Sequence, residues 1–136
     1  MNTLNILLIE DDMIEVMKLN RTISKLQLNH KIIEANNGEE ALKILRKKEK
    51  LPDIILLDLN MPKINGIEFL NMLKKDDTLR YIPTIVLTTS NNQKDLLECY
   101  KIGIAGYVLK PLKYETYVSK IEKLLAYWSI NELKQI

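Results

Sequence analysis

Five short apolar runs recur along the chain, each too short for a helix and each followed by a stretch of helical periodicity. They occupy residues 4–9, 30–35 (the weakest), 54–57, 85–87 and 105–109. Being rich in Ile, Leu and Val, they suit strands covered on both faces. The intervening stretches repeat at about 3.6 residues. Met13, Val16, Met17, Asn20, Ile23 and Leu26 form one stripe, and Ala41, Leu42 and Leu45 a second. Ile67, Leu70 and Leu73 follow, then Leu96, Leu97 and Tyr100. Tyr117, Val118, Ile121, Leu124, Leu125 and Trp128 form the last. Helices joining successive strands force parallel pairing, with right-handed crossovers covering both faces of the sheet. The expected class is α/β, one domain over residues 1–136, with a core at about 3–126 and a short helical extension at 127–136.

Composition removes several function classes. A chain of 136 residues with 46% hydrophobic and 28% charged residues is not intrinsically disordered. A formal net charge of +2 lacks the basic excess of a nucleic-acid or membrane-surface binder. No apolar run approaches the roughly 18 residues of a membrane span, and residues 1–9 are too short for a signal peptide. The single cysteine, Cys99, allows no internal disulfide. The expectation is a soluble, cytoplasmic domain. Cys99 and His30 have no partners at ligand spacing and read as structural.

Boundary residues agree with the element reading. Asn37 with Glu40, and Ser90 with Gln93, have capping-box spacing. Gly103 stands where a helix stops. Pro52, Pro83 and Pro111 fall at strand edges, where a missing N–H does least harm.

In an open parallel sheet, ligands sit beyond the carboxyl ends of the strands. Glu10, Asp11 and Asp12 follow the first run, and Asp58 with Asn60 follows the third. Thr88, Thr89 and Ser90 close the fourth, and Lys110 follows the fifth. Asp12 taken alone reads as a helix N-cap. The set as a whole demands more. Two carboxylates about 5 Å apart repel by roughly 3 kcal/mol at an effective dielectric near 20. Gathering Glu10, Asp11 and Asp58 therefore calls for a cation, and an all-oxygen set suits Mg²⁺. With a hydroxyl at Thr88 and an ammonium at Lys110, the set matches phosphoryl transfer, where positioning and charge neutralisation dominate.

The segments that carry these groups closely resemble one family. Ile6-Leu7-Leu8-Ile9-Glu10-Asp11-Asp12, Asp58-Leu59-Asn60-Met61-Pro62 through Gly66, Pro83 to Thr88, and Gly103 with Tyr107-Val108-Leu109-Lys110-Pro111 are similar to the CheY-like receiver domain of two-component response regulators. The resemblance spans nearly the whole chain. It implies a flavodoxin-like fold with strand order 2-1-3-4-5. It implies that Asp58 accepts a phosphoryl group from a sensor histidine kinase or phosphotransfer protein. It implies Mg²⁺ held by Asp11, Asp58 and the backbone carbonyl of Asn60, with Glu10 acting largely through water. Lys110 would contact the phosphoryl oxygens and precede a cis bond to Pro111. Thr88 and Tyr107 would form the switch. Thr89 and Ile104 depart from the family's commoner small residues, and Asn60 and Ser90 occupy positions that tune dephosphorylation.

An alternative is a small phosphohydrolase of the haloacid dehalogenase type, which resembles this chain in its strand-end aspartate, hydroxyl and lysine. That class needs an acid two residues after the nucleophile, where this chain has Asn60. A constitutive interaction module is the other alternative, opposed by the intact acid, hydroxyl and lysine set. No G-x-x-x-x-G-K loop supports nucleotide hydrolysis. The expectation is a phosphoacceptor, not an enzyme with a separate substrate. After residue 126 too little sequence remains for a DNA-binding output domain, so a downstream protein target is expected. Tyr107, Tyr114, Tyr117, Tyr127 and Trp128 cluster near the family's output face (fourth helix, fifth strand, fifth helix) and point to homodimerisation there. Tyr117 and Trp128 also lie on the apolar stripe, so the core is an alternative for both. Tyr127-Trp128-Ser129 and Leu87-Thr88-Thr89-Ser90 resemble receivers paired with bacteriophytochrome-type kinases.

Overall fold

The computed structural model describes residues 3–133. Five strands, β1 (Asn5–Ile9), β2 (Lys31–Ala35), β3 (Ile54–Leu57), β4 (Thr84–Thr88) and β5 (Gly106–Leu109), alternate with five helices. The helices are α1 (Met13–Lys25), α2 (Gly38–Arg46), α3 (Gly66–Lys75), α4 (Gln93–Ile102) and α5 (Tyr114–Ser129). All the strand pairs are parallel, in the order 2-1-3-4-5. This is the order the family resemblance implies.

The pleat divides each strand between two cores, because successive side chains point to opposite faces. Ile6, Leu8, Ile54, Leu56, Ile85 and Leu87 face α1 and α5, where Val16, Leu19, Ile23, Tyr117, Ile121 and Leu125 meet them. Leu7, Ile9, Ile55, Leu57 and Val86 face the other way, onto Leu42, Leu45, Phe69, Leu70, Leu73 and Cys99 of α2, α3 and α4. The chain thus buries β1, β3 and β4 on both sides. The edge strand β2 exposes Ile33 and Glu34, which accounts for its weaker apolar pattern.

Three local expectations need correction. On α1, Met13 and Met17 are exposed, while Leu19 and Thr22 are buried beside Val16 and Ile23. The apolar residues of that helix fit two adjacent stripes, and packing against the sheet selects one. Helix α4 is capped by Asn92, whose side chain accepts from Lys94 N and Asp95 N, and Ser90 instead faces Asp95. The expected helical extension over 127–136 is only the last turn of α5. Its terminal carbonyls are taken by Ser129 Oγ on Ala126 O and Asn131 Nδ2 on Tyr127 O. Beyond them Leu133 turns back onto the α1–α5 core, and residues 134–136 lie outside the described part. Asn37 caps α2 as expected, accepting from Glu40 N at 2.8 Å. Among the described residues no helix is long and apolar enough to cross a membrane.

Candidate functional site

The ladder itself assembles the site. Ile9 pairs with Leu57, so β1 and β3 release Glu10–Asp11 and Asp58 at one edge. Backbone bonds extend the pairing past the strands: Asp58 N donates to Ile9 O at 3.1 Å and Glu10 N to Ala35 O at 3.0 Å. One oxygen each from Glu10, Asp11 and Asp58 lies within 4.8 Å of the others. Next along the edge, β4 ends in the fully buried Thr88, whose hydroxyl accepts from Ser90 N at 3.3 Å and helps to hold the Asp58 carboxyl down. Thr88 O in turn accepts from Lys110 N at 2.8 Å, which seats the lysine at the end of β5. The Lys110 ammonium reaches past two strand ends to form a direct ion pair with Glu10, and both side chains are buried.

Electrostatics at this edge favour a cation. Burial raises the Asp58 carboxyl above its ordinary value; Lys110 and the Thr88 hydroxyl pull it back, and Asp11 pushes it up again. Burial also lifts Glu10, to about 7, against the opposing pull of Lys110. Two carboxyls that hold their protons too tightly, beside an exposed third, form a donor set that a hard divalent ion fits. With those charges offset, Asp58 presents a carboxylate beside a hydroxyl and an ammonium.

The remaining expected residues are placed more loosely. Asn60 is exposed on the loop after β3, where it lines a cleft of about 420 Å³ with Leu59, Met61, Asn65, Ile67 and Asp95. Tyr107 is half-buried, and its hydroxyl donates to Ser90 O at 2.8 Å, tying β5 to the loop that follows Thr88. Asp12 is the N-cap of α1, its Oδ1 accepting from Ile14 N at 2.9 Å. The Lys110–Pro111 bond is trans, as no described peptide bond is cis; Lys110 still meets Glu10 from that backbone. Tyr117 lies in the α1–α5 core with Tyr114 stacked on it, so neither belongs to the α4–β5–α5 surface. Trp128 is half-buried on the same core.

The sequence reading took Gly66 only as the close of the Asp58 motif and passed over Glu15. A Cβ on Gly66 would stand 2.7 Å from Leu59 Cα and 2.8 Å from Asp58 O, so only glycine lets α3 seat against the Asp58 loop. Glu15 places Oε1 3.8 Å from the Lys110 ammonium. For Glu15 the one available signal is an acid one turn into the helix after Glu10-Asp11-Asp12.

Comparison with known proteins accords with this geometry. The response regulator receiver domain matches residues 6–122. A probable methanogenesis regulatory protein of Methanothrix harundinacea, FilR2, is 37% identical over 127 residues, covering 90% of this chain and 82% of that one. The phosphorylated cyanobacterial phytochrome response regulator RcpA superposes with a TM-score of 0.91 at 29% identity, over 98% of this chain and 100% of its own. The Mn²⁺-bound response regulator Rcp1 gives 0.89 at 28% identity, over 97% and 99%. A fold shared over its whole length, carrying the strand-end acids that such a site requires, settles the family: the chain belongs to the response regulators of two-component signalling.

Proposed function

We propose that Asp58 is the phosphoacceptor and that Glu10, Asp11, Asp58 and the Asn60 carbonyl hold Mg²⁺, Glu10 largely through water. The observation that carries this reading is the meeting of three carboxylates within 4.8 Å beside the buried Lys110. Bound Mg²⁺ supplies charge neutralisation at the phosphoryl oxygens. An Asp58 oxygen attacks phosphorus, an O–P bond forms, and the N–P bond of the donor's phosphohistidine breaks, leaving the imidazole to take up a proton. Lys110 and Thr88 then bind phosphoryl oxygens. Movement of Thr88 toward the phosphate frees space for the Tyr107 ring, loosening its bond to Ser90 O.

The relatives are response regulators, generally without turnover of a separate substrate, and Asn60 denies the phosphohydrolase alternative its acid. The donor is a sensor histidine kinase or a phosphotransfer protein. A phytochrome-type kinase is the finer reading, supported by the likeness to RcpA. A sensor kinase draws its phosphoryl group from ATP, which supports a cytoplasmic place for the protein it serves. Residues 1–136 act as a single receiver, and the output is contact with a protein target or a second copy through the α4–β5–α5 face. Exposed Leu97, Tyr100, Leu109 and Tyr127 support that face.

Incubation with Mg²⁺ and acetyl phosphate tests the reading. The wild type should gain an acid-stable, base-labile phosphoryl label and Asp58→Asn should gain none; equal labelling of the two would overturn it. Phosphotransfer from candidate kinases, scored by relative rate, identifies the donor.

A further inference from the structure

Beside Asp58, the Lys110 ammonium forms ion pairs with two carboxylates among the described residues, and only one of these two belongs to the acidic cluster. Glu10 is a member of that cluster. Glu15 is not, yet its Oε1 lies 3.8 Å from Lys110 Nζ. Its other oxygen, Oε2, is buried without a hydrogen-bond partner and rests 3.9 Å from Lys18 Nζ. Lys18 is itself fixed, its ammonium 4.4 Å from the centre of the Tyr117 ring in the α1–α5 core. Glu15 is thus a charge anchored on α1, drawn on one side to Lys18 and on the other to the lysine that must move.

Resting on the reading of Lys110 as the phosphoryl-contacting group, we propose that Glu15 is a positioning residue that restrains this lysine in the unphosphorylated protein. To reach a phosphoryl oxygen on Asp58, the ammonium turns from the carboxylates that hold it. A bound cation shares the charge of Glu10, so that pairing loosens when the metal site fills. Glu15 has no such relief. It does not follow the lysine, because Lys18 and the helix backbone hold it in place. Each phosphorylation event therefore exchanges the Lys110–Glu15 attraction for a Lys110–phosphoryl contact, and the lost attraction is subtracted from the stability of the phosphorylated form. The pair is partly buried, so salt screens it less than an exposed one.

The test measures beryllofluoride affinity at saturating Mg²⁺. Glu15→Gln should bind this phosphoryl mimic about three- to tenfold more tightly than the wild type, with Mg²⁺ affinity alone unchanged within about twofold. In a Lys110→Ala background the same substitution should change beryllofluoride affinity by less than about twofold, since the restrained group is gone. Glu15→Asp, which keeps the charge but draws it back by a methylene, should give a gain in the same direction and carries the test if the glutamine variant unfolds. Equal or weaker binding by Glu15→Gln overturns the inference. So does an equal gain without Lys110, which would mark a general charge effect. If the wild type takes up no beryllofluoride, the reading of Asp58 fails first and this inference falls with it; a wild type that binds while Glu15→Gln shows no gain loses only the restraint.

Discussion

Glu10 carries the sharpest conflict at the strand ends. Burial holds its carboxyl near 7 although Lys110 pulls it down, and Asp58 shifts in the same upward direction. A carboxyl raised on folding binds its proton more tightly in the folded chain than in the unfolded one. Its contribution is fully present below the ordinary value of 4.5 and is lost as pH rises through about 7. Cation-free protein should therefore lose stability on the order of 1–3 kcal/mol between about pH 5 and pH 8 on account of this site. Urea unfolding at several pH values checks this; Mg²⁺ or Glu10→Gln should flatten the profile, and an unchanged slope in Glu10→Gln would place the proton elsewhere. Acids at positions 10, 11 and 58 were legible as a cluster because strand ends are local features. The burial that raises two of them was not.

At the scale of elements, the start of α3 sets the Asp58 loop. Asn65 and Glu68 form a reciprocal capping box, and Gly66 N donates to Leu59 O at 3.1 Å. Any side chain at Gly66 meets backbone, so the helix start or the Asp58 loop must shift. Gly66→Ala should lose about 1–3 kcal/mol of stability and weaken Mg²⁺ binding with it. Urea unfolding and metal titration measure the two effects, and wild-type values for both would remove the role assigned to this seat. Helix α4 is anchored differently. Cys99 is its one fully buried residue, and Tyr107 holds the loop before it through Ser90 O. A helix so lightly seated shifts more readily than α5, which buries Tyr117, Ile121, Leu125 and Ser129. The capping box at Asn65 has the spacing read at Asn37 but was not read from the sequence, while at Asn37 only one half of the box forms, Glu40 accepting from Asn36 N instead. Ser90 misled because Asn92, two residues on, caps with the better geometry.

For the whole molecule, the β5–α5 part of the α4–β5–α5 face holds an apolar groove of about 410 Å³ lined by Val108, Leu124, Tyr127 and Trp128, with Lys120 and Lys123 at its rim. Aromatic anchors beside an edge strand suit self-association. Homodimers should form at high concentration, and Tyr127→Ser should weaken them about tenfold or more. Sedimentation equilibrium with and without beryllofluoride measures this, and a strictly monomeric wild type under both conditions would refute it. The aromatics expected at this face divide on folding. Tyr127 stays on it, Trp128 lies half-buried at its border, and Tyr114 and Tyr117 join the opposite seam with α1.

By itself the sequence determined the order of strands and helices and the set of groups delivered to the carboxyl edge. Those follow from hydrophobic periodicity and strand-end position, which each segment carries within a few residues. The sequence also read two-sided burial for all five runs, which β1, β3 and β4 show and the partly exposed edge strands β2 and β5 do not. Only the tertiary structure decided that α1 turns Met13 and Met17 outward, that Gly66 touches the backbone of Asp58, and that Lys110 stands between Glu10 and Glu15. Each of these depends on which helix lies against which strand and at what rotation. Residue pairs as far apart as 15 and 110 leave no local trace of such choices, because packing and long-range charge select among patterns that are equivalent along the chain.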